Sequence, residues 1–244
     1  MITAIVQART GSTRFPNKVF AELVGKPLIA HIIERLRFSK EVESIILATT
    51  TNPDDDLLER WAATHAISVY RGSEEDVLAR FYYAGKTSRS DIIVRITADD
   101  PFKDPMITDR VIGALRDQSL DFAFNNRPPT FPEGLDAEVF TFSALKRASA
   151  EAKDPFEREH VTQYFYRHPE LFTQTNISHP SDLSHLRWTL DTEEDYQMVS
   201  RVYEKLYRPG KIFLMNDILD LLKQYPEIAR INSAVKRSAM YVKP

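Results

Sequence analysis

Four short apolar runs, separated by helical patterns, fill most of the first 125 residues and constrain the fold of this chain more than any other feature. They are Ile2 to Val6, Ser44 to Thr49, Ile67 to Tyr70 and Ile92 to Ile96, the last broken only by Arg95. Runs this short and this apolar suit strands buried on both faces. The segments between them are amphipathic. Leu28, Ile29, Ile32, Ile33 and Leu36 repeat at helical spacing to Phe38 after Gly25-Lys26-Pro27, which places Pro27 at a first turn. Pro53 opens a second helix through Trp61 to Thr64, a third spans Glu74 to Lys86, and a fourth runs from about Pro105 to Asp117. This alternation predicts an α/β fold, a mostly parallel sheet with helices on both faces. Ligands of such sheets lie beyond the carboxyl ends of the strands.

The loop after the first run ends in the richest cluster of chemistry. From Gln7 to Lys18 it carries Arg9, Arg14 and Lys18 and no acid. Ala8, Thr10, Gly11 and Ser12 are small enough to let backbone N–H groups face a ligand. Such a loop after a strand suits an anion, above all the phosphates of a nucleotide. It is not one of the common phosphate loops. Lys18 lies seven residues after Gly11 and precedes Val19, so GxxxxGK[ST] is absent, and so is GxGxxG. Thr49 to Asn52, Arg71-Gly72-Ser73 and Thr97 to Pro101 also follow strands, so four loops are expected on one rim.

Two acids complete the pattern. Asp99 and Asp191 each follow an apolar strand-like run, the second being Leu186 to Leu190. Paired carboxylates from distant strands suit Mg²⁺, which takes one or two carboxylates together with waters and substrate phosphates. Asp191 also begins a helix-start signal with Thr192, Glu193 and Glu194, so capping is an alternative task for it. Asp54, Asp55 and Asp56 suit the positive end of a helix N-terminus rather than a metal. His31 reads as a packed or surface histidine.

The second half is less regular. Phe122 to Phe124 and Leu135 to Phe142 read as strands, and Ser143 to Ala152, Phe156 to Tyr166 and Thr192 to Leu206 as helices. One more helix and a polar tail follow Lys211. Asp136 and Glu138 share a strand face, where inward carboxylates are costly unless they bind something, for which sugar hydroxyls would serve. Glu157-Arg158-Glu159-His160 is either a salt-bridged helical turn or a substrate contact through Arg158 and His160. Arg187 can pair with an acid or a substrate carboxylate. No linker or repeat divides the chain. It reads as one domain, with a nucleotide-binding half (1–125), an acceptor half (126–206) and a helical extension (207–244).

Composition removes several classes of function. The absence of cysteine excludes disulfides, thiolate metal sites and a cysteine nucleophile, and a net charge of −3 gives no global case for nucleic acid. No apolar run approaches the ~18–20 residues of a membrane span, and Met1 leads into a strand rather than a signal peptide, so a cytoplasmic location is expected.

Taken together, QARTGSTRFPNK and GKPLI resemble the nucleotide-binding opening of the cytidylyltransferases that activate acidic sugars, such as the acylneuraminate and 3-deoxy-manno-octulosonate enzymes. RGSEEDVLARF, RITADDPFKDP, EGLDAEVF, EREHVT and LRWTLDTEED resemble more closely a branch of spore-coat polysaccharide biosynthesis proteins. The likeness covers most of residues 1–206. It implies a nucleotide-diphospho-sugar-transferase-like, Rossmann-like fold, CTP as substrate, a sugar-like acceptor and often a homodimer. By position, Arg9, Arg14 and Lys18 would grip the triphosphate, the Arg71 to Ser73 turn would lie near the base, and Asp99 and Asp191 would hold the metal. Ala98 and Asn17 stand where the resembled enzymes usually have glycine, and Asn17 still tolerates left-handed geometry. The acceptor-binding segment departs from the acylneuraminate and octulosonate pattern. The expected activity is Mg²⁺-dependent nucleotidyl transfer with release of pyrophosphate. Glycosyl transfer from a nucleotide sugar, and nucleotide binding without turnover, are the rivals.

Overall fold

The computed structural model describes residues 1–12 and 14–236. Thr13 of the basic loop and the end of the expected polar tail lie outside the described residues. The chain order is β1 (Ile2–Gln7), β2 (Glu22–Leu23), β3 (Lys26–Pro27), α1 (Leu28–Leu36), β4 (Ser44–Thr50), α2 (Asp56–Thr64), β5 (Ser68–Gly72), α3 (Val77–Ser88), β6 (Ile92–Thr97) and α4 (Pro105–Asp117). There follow β7 (Phe122–Phe124), β8 (Glu138–Thr141), α5 (Phe142–Glu151), α6 (Pro155–Glu159), α7 (Gln163–Arg167), β9 (Gln174–Asn176), α8 (Glu193–Leu206), α9 (Met215–Gln224) and α10 (Pro226–Arg230).

One seven-stranded sheet in the order β5-β4-β1-β6-β8-β7-β9 carries the architecture, and β8 alone runs against the others. The period of two along β1 explains why both faces need helices. Ala4 and Val6 pack into a core with Leu28 and Ile32 of α1, Val111 of α4 and Val199 of α8. Ile5 between them faces a second core with Leu78 and Phe81 of α3, Leu145 of α5 and Phe165 of α7. Burial on both faces is the reason these strands read as unbroken apolar runs.

Most helix starts obey local chemistry. Asp104 accepts the Met106 and Ile107 amides ahead of Pro105, and Thr192 and Asp195 form a reciprocal capping box at α8. Two expectations fail in the second half. Phe156 to Tyr166 is not one helix but α6 and α7, interrupted at His160 to Thr162. Leu186 to Leu190 is not a sheet strand. It is an extended buried segment with a single bridge, Glu133 to Arg187, and it is held by Trp188 N–H donating to Glu133 O (2.8 Å) and Leu190 N–H to Asp99 O (2.8 Å). Gly134 permits this approach: at φ +99° a Cβ there would stand 2.7 Å from the Trp188 carbonyl oxygen.

Candidate active site

Adjacent parallel strands β1 and β6 deliver the basic loop and Asp99 to the same place. The chain leaves β1 toward β4 and β5 on one side, then returns to β6 on the other. The gap beyond the carboxyl ends of β1 and β6 is therefore the switch point of the sheet, where open α/β sheets bind ligands. A cavity of about 340 Å³ opens there. Of the residues singled out from sequence, Ala8, Arg9, Ser12, Arg14, Lys18, Asp99, His160 and Asp191 line it.

The loop is held from outside. Thr10 N–H and Oγ1 both donate to Asp55 Oδ1 at 2.8 Å, and the other Asp55 oxygen accepts Thr50 N–H (3.3 Å) and the Thr50 hydroxyl. Burial pushes the Asp55 carboxyl up, but these donors outweigh it and hold it below its ordinary range. Asp55 thus differs from the expected N-terminal acid: it caps no helix with its side chain and instead staples the loop to β4. Asn17 takes the left-handed conformation (φ 56°, ψ 26°) and turns the chain into the short helical turn that starts at Lys18.

Lys18 then reaches back into the cavity. Its ammonium donates to Asp99 Oδ2 (2.9 Å) and Asp191 Oδ1 (2.8 Å), and Arg14 approaches the same Asp191 oxygen at 3.0 Å. Burial works against the charge on Lys18, yet the two carboxylates outweigh it and raise its pKa. Burial alone would likewise raise Asp99, but Lys18 holds it at about 2. Arg9 pairs with Glu74 at the start of α3. A loop that has no acid of its own thus finds its carboxylates on other elements. Every one of these pairs faces the cavity, where phosphate oxygens can replace carboxylates on the cations.

The donor set fits Mg²⁺. Two carboxylates from separate segments already converge on a single cationic atom, and among the described residues no cluster of three or more His, Asp or Glu offers a richer metal cage. Two carboxylates with waters and phosphate is the usual magnesium arrangement.

Other residues singled out from sequence are placed elsewhere. Gly11 is exposed beside the cavity and does not line it, and Thr49 is buried outside it. Arg71 does not line the cavity; its guanidinium is held by Asp56, Glu59 and the carbonyls of Thr50 and Asn52. Gly72 pairs with Thr50 in the sheet, and Ser73 Oγ accepts the Asp76 amide at the entry to α3. Arg158 bonds Asp76 and the carbonyls of Ser149 and Ala152, so it joins helices rather than lining the cavity. Arg187 is buried among Glu133, Asp191 and Asp195, the ion-pair alternative given above.

Asp136 lies ahead of β8 rather than on its face, because β8 begins only at Glu138; its carbonyl accepts Lys103 Nζ. Glu138 is buried in an ion pair with Arg95 and accepts the hydroxyls of Thr162 (2.9 Å) and Tyr166 (2.8 Å). It lines a second, much smaller cavity with Arg127, Gln163 and Tyr166, and His160 borders both cavities. Burial lowers the His160 pKa, so the ring is neutral at pH 7. Among the wall residues that sequence reasoning did not assign to the site are Glu74, Val77 and Arg80. Arg80 had a signal, since it interrupts the apolar stripe of α3 between Val77 and Ala84.

A mostly parallel sheet with this basic loop and paired aspartates at its switch point defines a nucleotidyltransferase of the α/β class. The chain belongs to the cytidylyltransferase family, whose model matches residues 3–225. It is 36% identical to an uncharacterized protein of Methanocaldococcus jannaschii, covering 98% of this chain and 97% of that protein. It is 32% identical to the spore coat polysaccharide biosynthesis protein SpsF of Bacillus subtilis, covering 93% and 96%. The structure of a cytidylyltransferase from Leptospira borgpetersenii superposes with a TM-score of 0.89 at 33% identity, over 97% of this chain and 99% of that one. No helix among the described residues is long and apolar enough to cross a membrane.

Proposed function

We propose that this enzyme transfers CMP from CTP to an acidic, sugar-like acceptor, releases pyrophosphate, and serves the synthesis of a surface polysaccharide. The observation that carries this reading is the Lys18 ammonium held between Asp99 and Asp191 at the sheet's switch point. An acceptor oxygen attacks the α-phosphorus; the bond from that phosphorus to the β-phosphate oxygen breaks, and pyrophosphate leaves with its electron pair. Arg9 and Arg14 exchange their carboxylate partners for phosphate oxygens, and Lys18 stabilises the charge that grows on them. Asp99 and Asp191 would hold Mg²⁺, which would supply neutralisation of phosphate charge. His160, neutral and lining both cavities, supports an acceptor contact at this wall, with Glu138 and Arg127 of the smaller cavity behind it as partners for hydroxyl and anionic groups.

The test is thermal melting with CTP, UTP, GTP and ATP, each with and without Mg²⁺, followed by pyrophosphate release from the nucleotide that binds with a panel of acidic sugars. A nucleotide at about 100 times its dissociation constant adds about 2.7 kcal/mol of stability, so a Mg²⁺-dependent rise in Tm with CTP is expected. Release of a nucleoside diphosphate in place of pyrophosphate, or no shift with any nucleotide, overturns the reading.

A further inference from the structure

Arg80 is the cavity's unexplained cation. It is 4% exposed yet lines the wall, and among the described residues its side chain makes one hydrogen bond, the donation from Nη1 to Ser73 O at 3.1 Å. Its Nε is buried without a partner, and among the described residues no carboxylate lies within ion-pairing distance of it. A buried guanidinium left with unused donors is costly, and a ligand acceptor is the usual resolution. Burial and the neighbouring charge of Arg9 lower its pKa to about 10, which still leaves it a full cation and a pure donor at neutral pH.

Its surroundings say which acceptor fits. Ala8 and Val77 are among the apolar residues that line the cavity, and Glu74, six residues before Arg80 and ahead of α3, adds a fixed acceptor held by Asn52. Asp99, Lys18 and Asp191 mark the phosphate end, and Glu159 and His160 the side facing the acceptor half. The Arg80 end is left for the nucleoside. Cytosine shows two acceptors, O2 and N3, beside an N4 amino donor; uracil shows O2, an N3–H donor and O4. Donors from Arg80 beside an acceptor from Glu74 match the first pattern and oppose the second.

We infer that Arg80 and Glu74 read the hydrogen-bonding edge of cytosine, Arg80 donating to O2 and N3 and Glu74 accepting from N4, and so select CTP over UTP. Arg9, which pairs with Glu74 in the structure, passes to the triphosphate and frees the Glu74 carboxylate for the base. The inference rests on the cytidylyl-transfer reading above.

Calorimetric titration of the full chain with CTP, UTP and inorganic tripolyphosphate, all with Mg²⁺, tests it in the parent enzyme, Glu74→Gln and Arg80→Lys. Glu74 is on the cavity rim, so Glu74→Gln remains informative if Arg80→Lys folds poorly. A well-made bidentate contact gives about 1–3 kcal/mol of base discrimination, so each variant is expected to lower the preference for CTP over UTP by about fivefold or more. The loss should fall on CTP, and tripolyphosphate should bind no more weakly. An unchanged preference in both variants overturns the inference, and so does an equal loss of CTP, UTP and tripolyphosphate in Arg80→Lys, which would make the residue a phosphate contact. A parent enzyme that binds both nucleotides alike overturns the inference alone. A parent enzyme that binds neither overturns the cytidylyl-transfer reading with it.

Discussion

Two ionic clusters meet at Asp191, and its two oxygens belong to different worlds. Oδ2 faces inward and accepts from Arg187 Nη2 at 3.1 Å; Oδ1 faces the cavity and is shared by Lys18 and Arg14. In the inner cluster every strong group is satisfied. Asp195, wholly buried, takes two bonds from Arg187 (2.9 and 2.8 Å), one from Asn232 (2.8 Å) and the amides of Asp191 (3.0 Å) and Thr192 (3.1 Å). In the outer cluster the cations have room to leave, the Arg14 side chain being 55% exposed and the Lys18 side chain 14%. A saturated cluster fixes geometry, whereas one that borders a cavity can exchange partners. Arg187 thus acts as a positioning residue for Asp191, which gives its charge a task although it does not line the cavity.

The inner cluster should fail by unfolding and the outer by losing turnover. The largest effect is expected from Asp195→Ala, which removes the twice-bonded partner of Arg187, leaving it only Glu133 and Asp191, and leaves two backbone amides unpaired. Breaking a buried pair from one side costs about 3–5 kcal/mol, to be read as the drop in unfolding free energy in a urea titration. A loss below about 1 kcal/mol, the range of an exposed pair, would dissolve the distinction between the clusters.

Lys18→Ala should act the other way. Removing one contact that stabilises transition-state charge lowers turnover by about 10²–10³, measured as pyrophosphate release at saturating CTP with a competent acceptor. Its loss of stability should be smaller than that of Asp195→Ala, since the bared carboxylates of Asp99 and Asp191 border a cavity that water can enter. Turnover close to that of the parent would remove Lys18 from the chemistry.

The contrast between the clusters was only half legible in the sequence. Parallel strands buried on both faces write themselves as apolar runs, so β1, β4 and β6 and the loops beyond them could be placed, and with them Lys18 and Asp99. Glu74, which pairs with Arg9, and Asp55, which holds Thr10, could not. Among Asp54, Asp55 and Asp56 the residue that faces Thr10 is selected by the phase of the Pro53–Asp55 helical turn, which composition does not reveal. Leu186 to Leu190 misled for a related reason. Its alternation records burial of Trp188 and Leu190 against the core beside Phe102 and Val199, and a segment can be buried in that way while sharing only one bridge with a neighbour. Arg187 and Asp195, eight apart in sequence, lie on either side of a turn, so neither strand nor helix periodicity links them.

The smallest effect sharpens the comparison through pH. Asp99 is held at about 2 in the folded protein against a reference of 3.8, mainly because Lys18 outweighs the upward push of burial. A carboxyl depressed by folding contributes stability above its unfolded pKa and loses it as pH falls through the folded value. The Asp99 contribution is therefore complete above about pH 4 and fades toward pH 2. Asp99→Asn abolishes it, so the difference in Tm between parent and variant should narrow steadily over that window. Acids remote from Asp99 titrate alike in both proteins and cancel in the difference; Asp100, which burial and the charge of Asp99 push up to about 7, changes with the substitution and acts above that window. If the gap stays constant down to pH 2, the Lys18–Asp99 pair does not stabilise the fold, and its ions are held at the cavity for exchange alone.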